Sequence, residues 1–258
     1  MKTRLMLSPL VLLALILVVG CTPQKAQSFS ELVKNGTPQA VKAAIEKGAY
    51  VNASDEYDTT VLMYAASNNP NPEVITTLLK AGAEIQTHDN IYGKTALMWA
   101  AQFNKNPEVT AVLLKAGADI EARSGSKQPW TALMWAAQST TNPDVITTLL
   151  KAGADIKERD KEGLTPLMNA AANNTNPDVI TRLISSGADL EAKDQNGFTA
   201  LMEAASKNHN PDVVIALLKA GANAKAKNSK GYTALDYAKA NRSLDGTDAL
   251  KQLEEASK

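Results

Sequence analysis

The sequence predicts an all-α solenoid, in which helix-turn-helix units stack side by side and short hairpin-like tips join them. Glycines in the triplets KGA, AGA and SGA recur at intervals of 34, 35, 36, 34 and 34 residues between Gly48 and Gly221. A threonine-led marker, such as TALM or TPLM, keeps step with them from Thr60 to Thr233. Aromatic residues make up 5% of the chain, and Ala and Leu supply much of its apolar content, which favours helices over strands. A fixed period of this size is typical of a solenoid.

The N-terminal residues 1–20 are predicted to be an export signal. Lys2 and Arg4 lead into an apolar run from Leu5 to Val19, which is shorter than the ~20 residues that a membrane-spanning helix needs. The run ends in VVGC, which resembles the lipobox of bacterial lipoproteins. That resemblance implies removal of residues 1–20 and lipidation of Cys21, with 21–27 as a short polar linker.

Cys21 is the only cysteine of the chain, so no intrachain disulfide can form. An idle thiol is the alternative interpretation of this residue. Buried acyl chains contribute ~0.8 kcal/mol per CH₂ group, so several chains together anchor a protein stably. Thr22 stands where an Asp would resemble an inner-membrane retention signal, which favours the outer membrane. We therefore expect an exported lipoprotein, anchored in the membrane and exposed on the periplasmic side.

The first helix of each unit is predicted to begin at the threonine of the marker. Thr165 can cap the helix, and Pro166 fits the first helical position. The stretch LMNAAAN that follows from Leu167 carries paired alanines, which let neighbouring helices approach closely. This helix is expected to pack tightly between its neighbours.

The second helix of each unit is predicted by phrases such as NPDVITTLLKAGADI, residues 142–156. Asn142 can cap the helix, Pro143 fits its first position, and Asp144 places negative charge at its positive end. Apolar residues at i, i+1, i+4 and i+5 form one stripe, and Gly153 can end the helix in a left-handed conformation. The same start recurs at Asn71, Asn106, Asn176 and Asn210.

These two patterns together resemble the ankyrin repeat. The carrying motifs are D-x-x-G-x-T-P-L-M-x-A-A from Asp160 and N-P-D-V-I-x-x-L-I-x-x-G-A-D from Asn176, and six linked copies cover the chain from Ser28 to Lys258. The tetratricopeptide repeat, with a period of about 34 residues, is the alternative, but its Trp, Leu-Gly and Tyr signature is missing.

The resemblance implies a division into repeats, with atypical units at the two ends because a repeat cannot bury its apolar faces alone. The N-terminal capping repeat is expected at 28–54 and the C-terminal capping repeat at 228–258. Five full repeats are expected between them, at 55–88, 89–123, 124–159, 160–193 and 194–227. Extra residues in HDNIYGKT and SGSKQPWT should lengthen the tips of the second and third full repeats. Met replaces the family's usual His in the marker, so we expect packing in place of a hydrogen bond.

Charge and composition disfavour several classes of function. The chain is 44% hydrophobic and 21% charged, which argues against disorder along its length. Its 27 basic and 27 acidic residues leave no basic footprint for nucleic acid. His88 and His209 fall in different repeat positions, and Cys21 is assigned to lipid, so no metal site, cofactor or Cys-His nucleophile is expected. YGKT at 92–95 lacks the earlier glycine of a phosphate-binding loop, since His88 stands there. We expect no enzyme.

Candidate partner-binding residues come from two positions of the repeat. The resemblance places the residue before each helix-starting Thr at the tip, on the edge of the concave face. Its members are Thr59, Lys94, Trp130, Leu164, Phe198 and Tyr232. The last four are predicted to form an exposed apolar ladder, since interfaces are enriched in such anchors. The second position lies in the first helix and comprises Tyr64, Trp99, Trp135, Asn169, Glu203 and Tyr237. Packing between neighbouring repeats is the alternative for both sets, and it explains Trp99 and Trp135 equally well.

Ankyrin domains are mostly binding modules, so the resemblance implies a protein that binds another protein through its concave face. Together with the lipobox, this predicts a lipid-anchored binding protein, which we expect to be a monomer. Its role could be that of a scaffold, an inhibitor or an immunity-type protein. An envelope spacer without a specific ligand is the alternative, and a hydrolytic enzyme with an active site in the groove is the less favoured one.

Overall fold

The computed structural model describes residues 23–125, 127 and 129–258. The predicted signal peptide 1–20 and the lipidation site Cys21 lie outside the described residues. In the described part, the β structure amounts to one isolated antiparallel bridge between Ser54 and Thr60. The all-α solenoid prediction is confirmed.

The helices come in pairs, one pair to each predicted unit. The pairs are α1 (Pro23–Asn35) with α2 (Pro38–Glu46), α3 (Val61–Asn68) with α4 (Pro72–Lys80), α5 (Ala96–Phe103) with α6 (Pro107–Lys115), α7 (Ala132–Ser139) with α8 (Pro143–Lys151), α9 (Pro166–Asn173) with α10 (Pro177–Ser185), α11 (Ala200–Lys207) with α12 (Pro211–Lys219), and α13 (Ala234–Ala238) with α14 (Asp248–Ala256), the last two joined by a 3-10 turn at Arg242–Leu244. Helix α1 begins at Pro23, inside the predicted linker 21–27. Proline suits the first turn of a helix because its missing amide proton would have no partner there.

The helices form two layers. Each first helix packs against the first helices of the adjacent units, and each second helix packs against the second helices. We call the layer of first helices the inner layer. Its free surface, together with the adjoining tips, corresponds to the predicted concave face and is called the inner face below.

The predicted caps are present. Asn142 Oδ1 accepts a hydrogen bond from Asp144 N at 2.9 Å, and the other four asparagine caps make the same bond. Thr165 Oγ1 accepts from Met168 N at 3.3 Å. The glycines that end the second helices have φ between 91° and 101°, a left-handed conformation that residues with a side chain adopt only with strain. Local sequence signals therefore determine where these helices begin and end.

The methionines of the marker pack as expected, and some of them also make a hydrogen bond. All five are buried in the core. Thr60 N donates to Met63 Sδ at 3.4 Å, and Thr165 N donates to Met168 Sδ at 3.5 Å. In the last unit Asp236 Oδ2 accepts from Thr233 N at 2.7 Å. Sulfur thus takes over part of the bonding that the family's His would supply.

Buried asparagines join each unit to the one before it. Asn174 Nδ2 donates to the carbonyl oxygens of Ala137 and Thr140, both at 3.0 Å, and Asn174 Oδ1 accepts from Asn176 N at 2.9 Å. The equivalent residues are Asn69, Asn104, Asn208 and Asn241. The unit 124–159 has Thr140 there, whose hydroxyl bonds to the backbone of Asn142. These side chains satisfy carbonyl groups that stacking removes from water.

Replacement of Asn174 by Ala is expected to lower the free energy of unfolding by about 2–4 kcal/mol, because three hydrogen bonds are lost and buried groups are left unpaired. Urea denaturation followed by circular dichroism measures this change. Asn173→Ala is the matched control, since Asn173 is the exposed last residue of α9 and directly precedes Asn174. An equal effect of the two substitutions would contradict the role of the buried asparagines.

Candidate protein-binding face

Each tip is closed by the polar side chain of its first residue. Asp160 Oδ1 accepts from Glu162 N at 3.0 Å and from Leu164 N at 2.8 Å. Asp55, Asp89, Asp194 and Asn228 bond in the same way to the backbone of their own tips. In the unit 124–159 the hydroxyl of Ser124 accepts from Trp130 N at 3.0 Å. The tip conformation is thus fixed locally.

The same tip residue fastens the aromatic side chain of the inner helix. Asp89 Oδ2 accepts from Trp99 Nε1 at 2.9 Å, and Ser124 Oγ accepts from Trp135 Nε1 at 3.3 Å. Tyr64 donates its hydroxyl to Asp55 Oδ2 at 2.5 Å, and burial together with this bond raises the pKa of Tyr64 to about 12. Burial alone would raise the pKa of Asp55, but the hydrogen bonds that its carboxylate accepts bring it below its usual value. Trp99 and Trp135 therefore each link the inner helix of a unit to the tip of the same unit.

The predicted exposed ladder is wrong for Trp130, which is 3% exposed. Its ring packs edge-on against Trp135, with the ring centres 4.8 Å apart, and its Nε1 donates to Asp160 Oδ2 of the next tip at 3.0 Å. The residue before the helix-starting Thr points towards the following unit, which covers it. Lys94 is buried for the same reason, and Trp135 is buried beneath these neighbours.

The remaining members of the ladder show the same rule. Leu164 and Phe198 are half-buried, and the ring of Phe198 lies 4.9 Å from that of Tyr237 in the next unit. Tyr232 belongs to the last unit, and its side chain is 51% exposed. Of the four predicted anchors, Tyr232 alone is openly presented to solvent.

Exposed apolar side chains concentrate elsewhere, in the unit 89–123. Tyr92 is 53% exposed, Phe103 49% and Ile91 46%. Ile91 and Tyr92 lie in the lengthened tip, and Phe103 ends the inner helix α5. Sequence reasoning missed them because it followed two fixed repeat positions that include none of these three residues, although the extra residue of HDNIYGKT marked this tip as different. The unit 89–123 thus presents the most exposed apolar surface of the inner face.

Two glycines hold Tyr92 in place. Gly125 N donates to Tyr92 O at 2.7 Å, which links the two lengthened tips. Gly93 has φ +67°, and a Cβ on Gly93 would lie 2.7 Å from Gly125 Cα. Such a close approach of two backbones is open only to glycine. The exposed ring therefore projects from a fixed backbone.

Four aromatic rings surround the ammonium group of Lys94, and we call this cluster the Lys94 box. The centres of the rings of Trp135, Tyr92, Trp99 and Phe103 lie 3.7, 4.7, 4.9 and 5.5 Å from Lys94 Nζ. Nζ also donates to Gln102 Oε1 at 2.6 Å. Burial lowers the pKa of Lys94 to about 8, and the nearby charge of Asp89 opposes this shift. Cation–π attraction holds the ammonium group in the box.

A cavity of about 400 Å³ adjoins the box on the inner face. Trp99 and Phe103 border both the box and the cavity, and Tyr64 and Lys34 line the far side. Lys34 Nζ lies 4.5 Å from the centre of the Tyr64 ring and pairs with Glu31 at 2.6 Å. Box and cavity form one continuous surface across the units 28–54, 55–88 and 89–123. A second cavity, of about 560 Å³, lies in the outer layer between α10 and α12.

Two inner helices of the C-terminal half, α9 and α11, carry polar side chains where α3, α5 and α7 carry aromatic ones. Glu203 is buried, and this burial raises its pKa, whereas the ammonium group of Lys207, 2.7 Å away, lowers it. Asn169 stands at the equivalent position one unit earlier, and its Nδ2 has no partner among the described residues. No set of three or more potential metal ligands gathers in the described part. No helix there has the length and apolarity to cross a membrane.

Comparison with known proteins gives one family and many similar folds. A family model described as "Ankyrin repeats (3 copies)" matches residues 29–124, 71–160, 103–194 and 167–257. The ankyrin repeat domain of human ASB11 superposes with a TM-score of 0.72 at 23% identity, covering 90% of this chain and 96% of that one. The ankyrin repeat domain of Bcl-3, a member of the IkappaB protein family, gives 0.64 at 28% identity, covering 88% and 97%. No curated protein matches the sequence.

Trp130→Ala is expected to lower the free energy of unfolding by about 3–5 kcal/mol, because a buried ring and its bond to Asp160 are removed. Tyr232→Ala should change it by less than about 0.5 kcal/mol, because that ring is largely exposed. Both values come from denaturant unfolding of the purified chain. Similar losses for the two variants would mean that the next unit does not cover Trp130.

Proposed function

Since this chain belongs to the ankyrin-repeat family, whose repeats typically serve as protein-interaction modules, we propose that it binds a protein partner through the inner face of the unit 89–123 and its neighbours. The binding site consists of the Lys94 box and the adjoining cavity. The role is non-enzymatic and fits a scaffold, an inhibitor or an immunity-type protein.

The observation that carries this proposal is the continuous aromatic surface at the box. Tyr92 and Phe103 are each about half exposed, and Trp99 joins them to the cavity. Aromatic side chains are enriched at the energetic centres of protein interfaces, and exposed apolar patches on soluble domains mark interaction sites. Lys94 and Trp135 support this surface from beneath.

The anchors expected from sequence take different parts in this proposal. Trp130 does not contact the partner but stabilises the fold, because its side chain joins two neighbouring tips. Leu164 and Phe198 provide a half-buried edge, and Tyr232 presents a separate exposed ring at the far end of the inner face. A partner that covers the whole inner face would reach them, but the primary contact lies at Tyr92, Trp99 and Phe103.

The chain is further proposed to be a monomeric lipoprotein, exported by residues 1–20 and held by a lipid on Cys21 at the periplasmic side, in the outer membrane. The basic start, short apolar run and VVGC ending support this. Helix α1 begins two residues after Cys21, so the repeats would lie close to the membrane.

Cys21→Ala is expected to abolish incorporation of an alkyne-labelled fatty acid and to leave an unprocessed chain. Fractionation of the host envelope, with mass spectrometry of the N-terminal peptide, measures both effects. Cys21 has no second cysteine to replace it, so the label reports on this residue alone. Labelling that survives the substitution would refute the lipid anchor.

Capture of the partner tests the proposed face. The full-length natural chain is cross-linked in the envelope of its own host, together with the double variant Tyr92→Ala/Phe103→Ala and the control Tyr50→Ala, a residue of comparable exposure in the first unit. At about 1–2 kcal/mol for each interface ring, the double variant should weaken capture by roughly 100-fold, and the control should not.

A protein captured equally by all three chains would refute the proposed face. A chain that captures nothing above an unrelated lipoprotein would favour the envelope-spacer alternative.

A further inference from the structure

The ammonium group of Lys94 carries a charge that no acidic group of the described chain neutralises by direct contact. None of the ion pairs in the described residues involves Lys94. Asp89 is near enough to act on it, but hydrogen bonds from the tip backbone and from Trp99 already engage both of its carboxylate oxygens. Aromatic faces and the Gln102 oxygen solvate the ammonium group instead.

A charge at this position is costly for the fold. The equivalent residues in the other units are Thr59, Trp130, Leu164, Phe198 and Tyr232, none of which is charged. An apolar side chain would fill the box without the desolvation penalty of a buried cation. Residues that lower the stability of a fold without a compensating structural gain are expected at functional sites.

Lys94 itself is 2% exposed, and the rings of Tyr92 and Phe103 are the part of the box that faces solvent. Both rings are about half exposed, and the Phe103 ring also borders the neighbouring cavity. Beyond that cavity lies a second ammonium group, that of Lys34, which pairs with Glu31 at 2.6 Å. Lys94 is therefore the cation of this surface that has no ion pair among the described residues. An approaching group thus meets positive charge and apolar surface together.

We propose that the Lys94 box and the adjoining cavity bind an acidic and apolar segment of the partner protein. An Asp or Glu carboxylate of that segment pairs with Lys94 Nζ between Tyr92 and Phe103, and a neighbouring large apolar side chain enters the cavity beside Trp99. Charge complementarity selects the carboxylate, because the ammonium group lacks an acidic contact and a dry aromatic surround strengthens the pair. This inference rests on the proposed function, that this face binds a protein.

A random-peptide display library on the immobilised full-length chain tests the inference. Peptides recovered on the natural chain should be enriched at least roughly ten-fold in Asp or Glu, over Asn or Gln, next to Leu, Phe or Trp. Lys94→Met keeps the box filled but removes the charge, so it should lose the acidic preference and still recover apolar peptides. Lys80→Met, an exposed lysine at the end of α4, is the matched control and should behave as the natural chain.

A second measurement uses the natural chain alone, so it does not depend on the folding of a variant. The groups facing the ammonium are Asp89 and Tyr92 of its tip, Trp99, Gln102 and Phe103 of α5, and Trp135 of α7; Asp89 is the charged one and Tyr92 the other titratable one. Because binding requires the charged ammonium, affinity for the best acidic peptide should fall as pH rises through about 8. Between about pH 7 and about pH 9.5 we expect a loss of roughly ten-fold, with no loss for the Glu→Gln peptide.

The outcomes separate this inference from the proposed function. Recovered peptides without acidic enrichment, acidic enrichment that persists on Lys94→Met, or a pH-independent affinity would overturn the inference. The proposed function would then stand as long as recovery depends on Tyr92 and Phe103. No recovery above an unrelated control protein would count against both.

Discussion

The rest of the structure depends on one constraint: each unit packs over the tip of the unit before it and buries side chains there. Backbone groups pair from tip to tip, as between Gly125 N and Tyr92 O, and buried asparagines such as Asn174 pair the carbonyl groups of the preceding unit. Side chains at the edge of a tip also contact the following unit. Trp130 bonds to Asp160 of the following unit, and Lys94 lies against Trp135. A tip side chain on the inner face stays exposed where the following unit is absent or does not pack over it.

Much of the fold could be predicted from the sequence because its signals are local. Asn142, Pro143 and Gly153 specify the two ends of one helix within twelve residues, and the repetition of that phrase specifies the stack. The all-α class and the repeat family followed from the same signals. Met63 and Met168 were expected to pack, and the bonds to their sulfur atoms depend on a geometry that spacing alone does not reveal.

The site could be predicted only in part, because burial at the tips depends on contacts between residues about thirty or more positions apart. Trp130 looks like an exposed anchor when its own tip is considered, and its burial follows from Asp160, thirty residues later. Tyr232 stayed exposed as predicted for the ladder, since it belongs to the last unit. Tyr92 and Phe103 needed the structure, which shows that both rings are about half exposed and lie beside the ammonium group of Lys94. Function in this account lies where the repeat departs from its own pattern.

Side-chain oxidation footprinting of the natural chain, alone and with its captured partner, tests the central claim most directly. In the free chain, Tyr92, Phe103 and Tyr232 should be oxidised readily and Trp130 should be protected, because the next unit covers it. Partner binding should protect Tyr92 and Phe103 and leave Tyr50 unchanged. Rapid oxidation of Trp130 in the free chain, or protection that falls on the outer layer at Ile184 and Ile215 instead, would contradict the account.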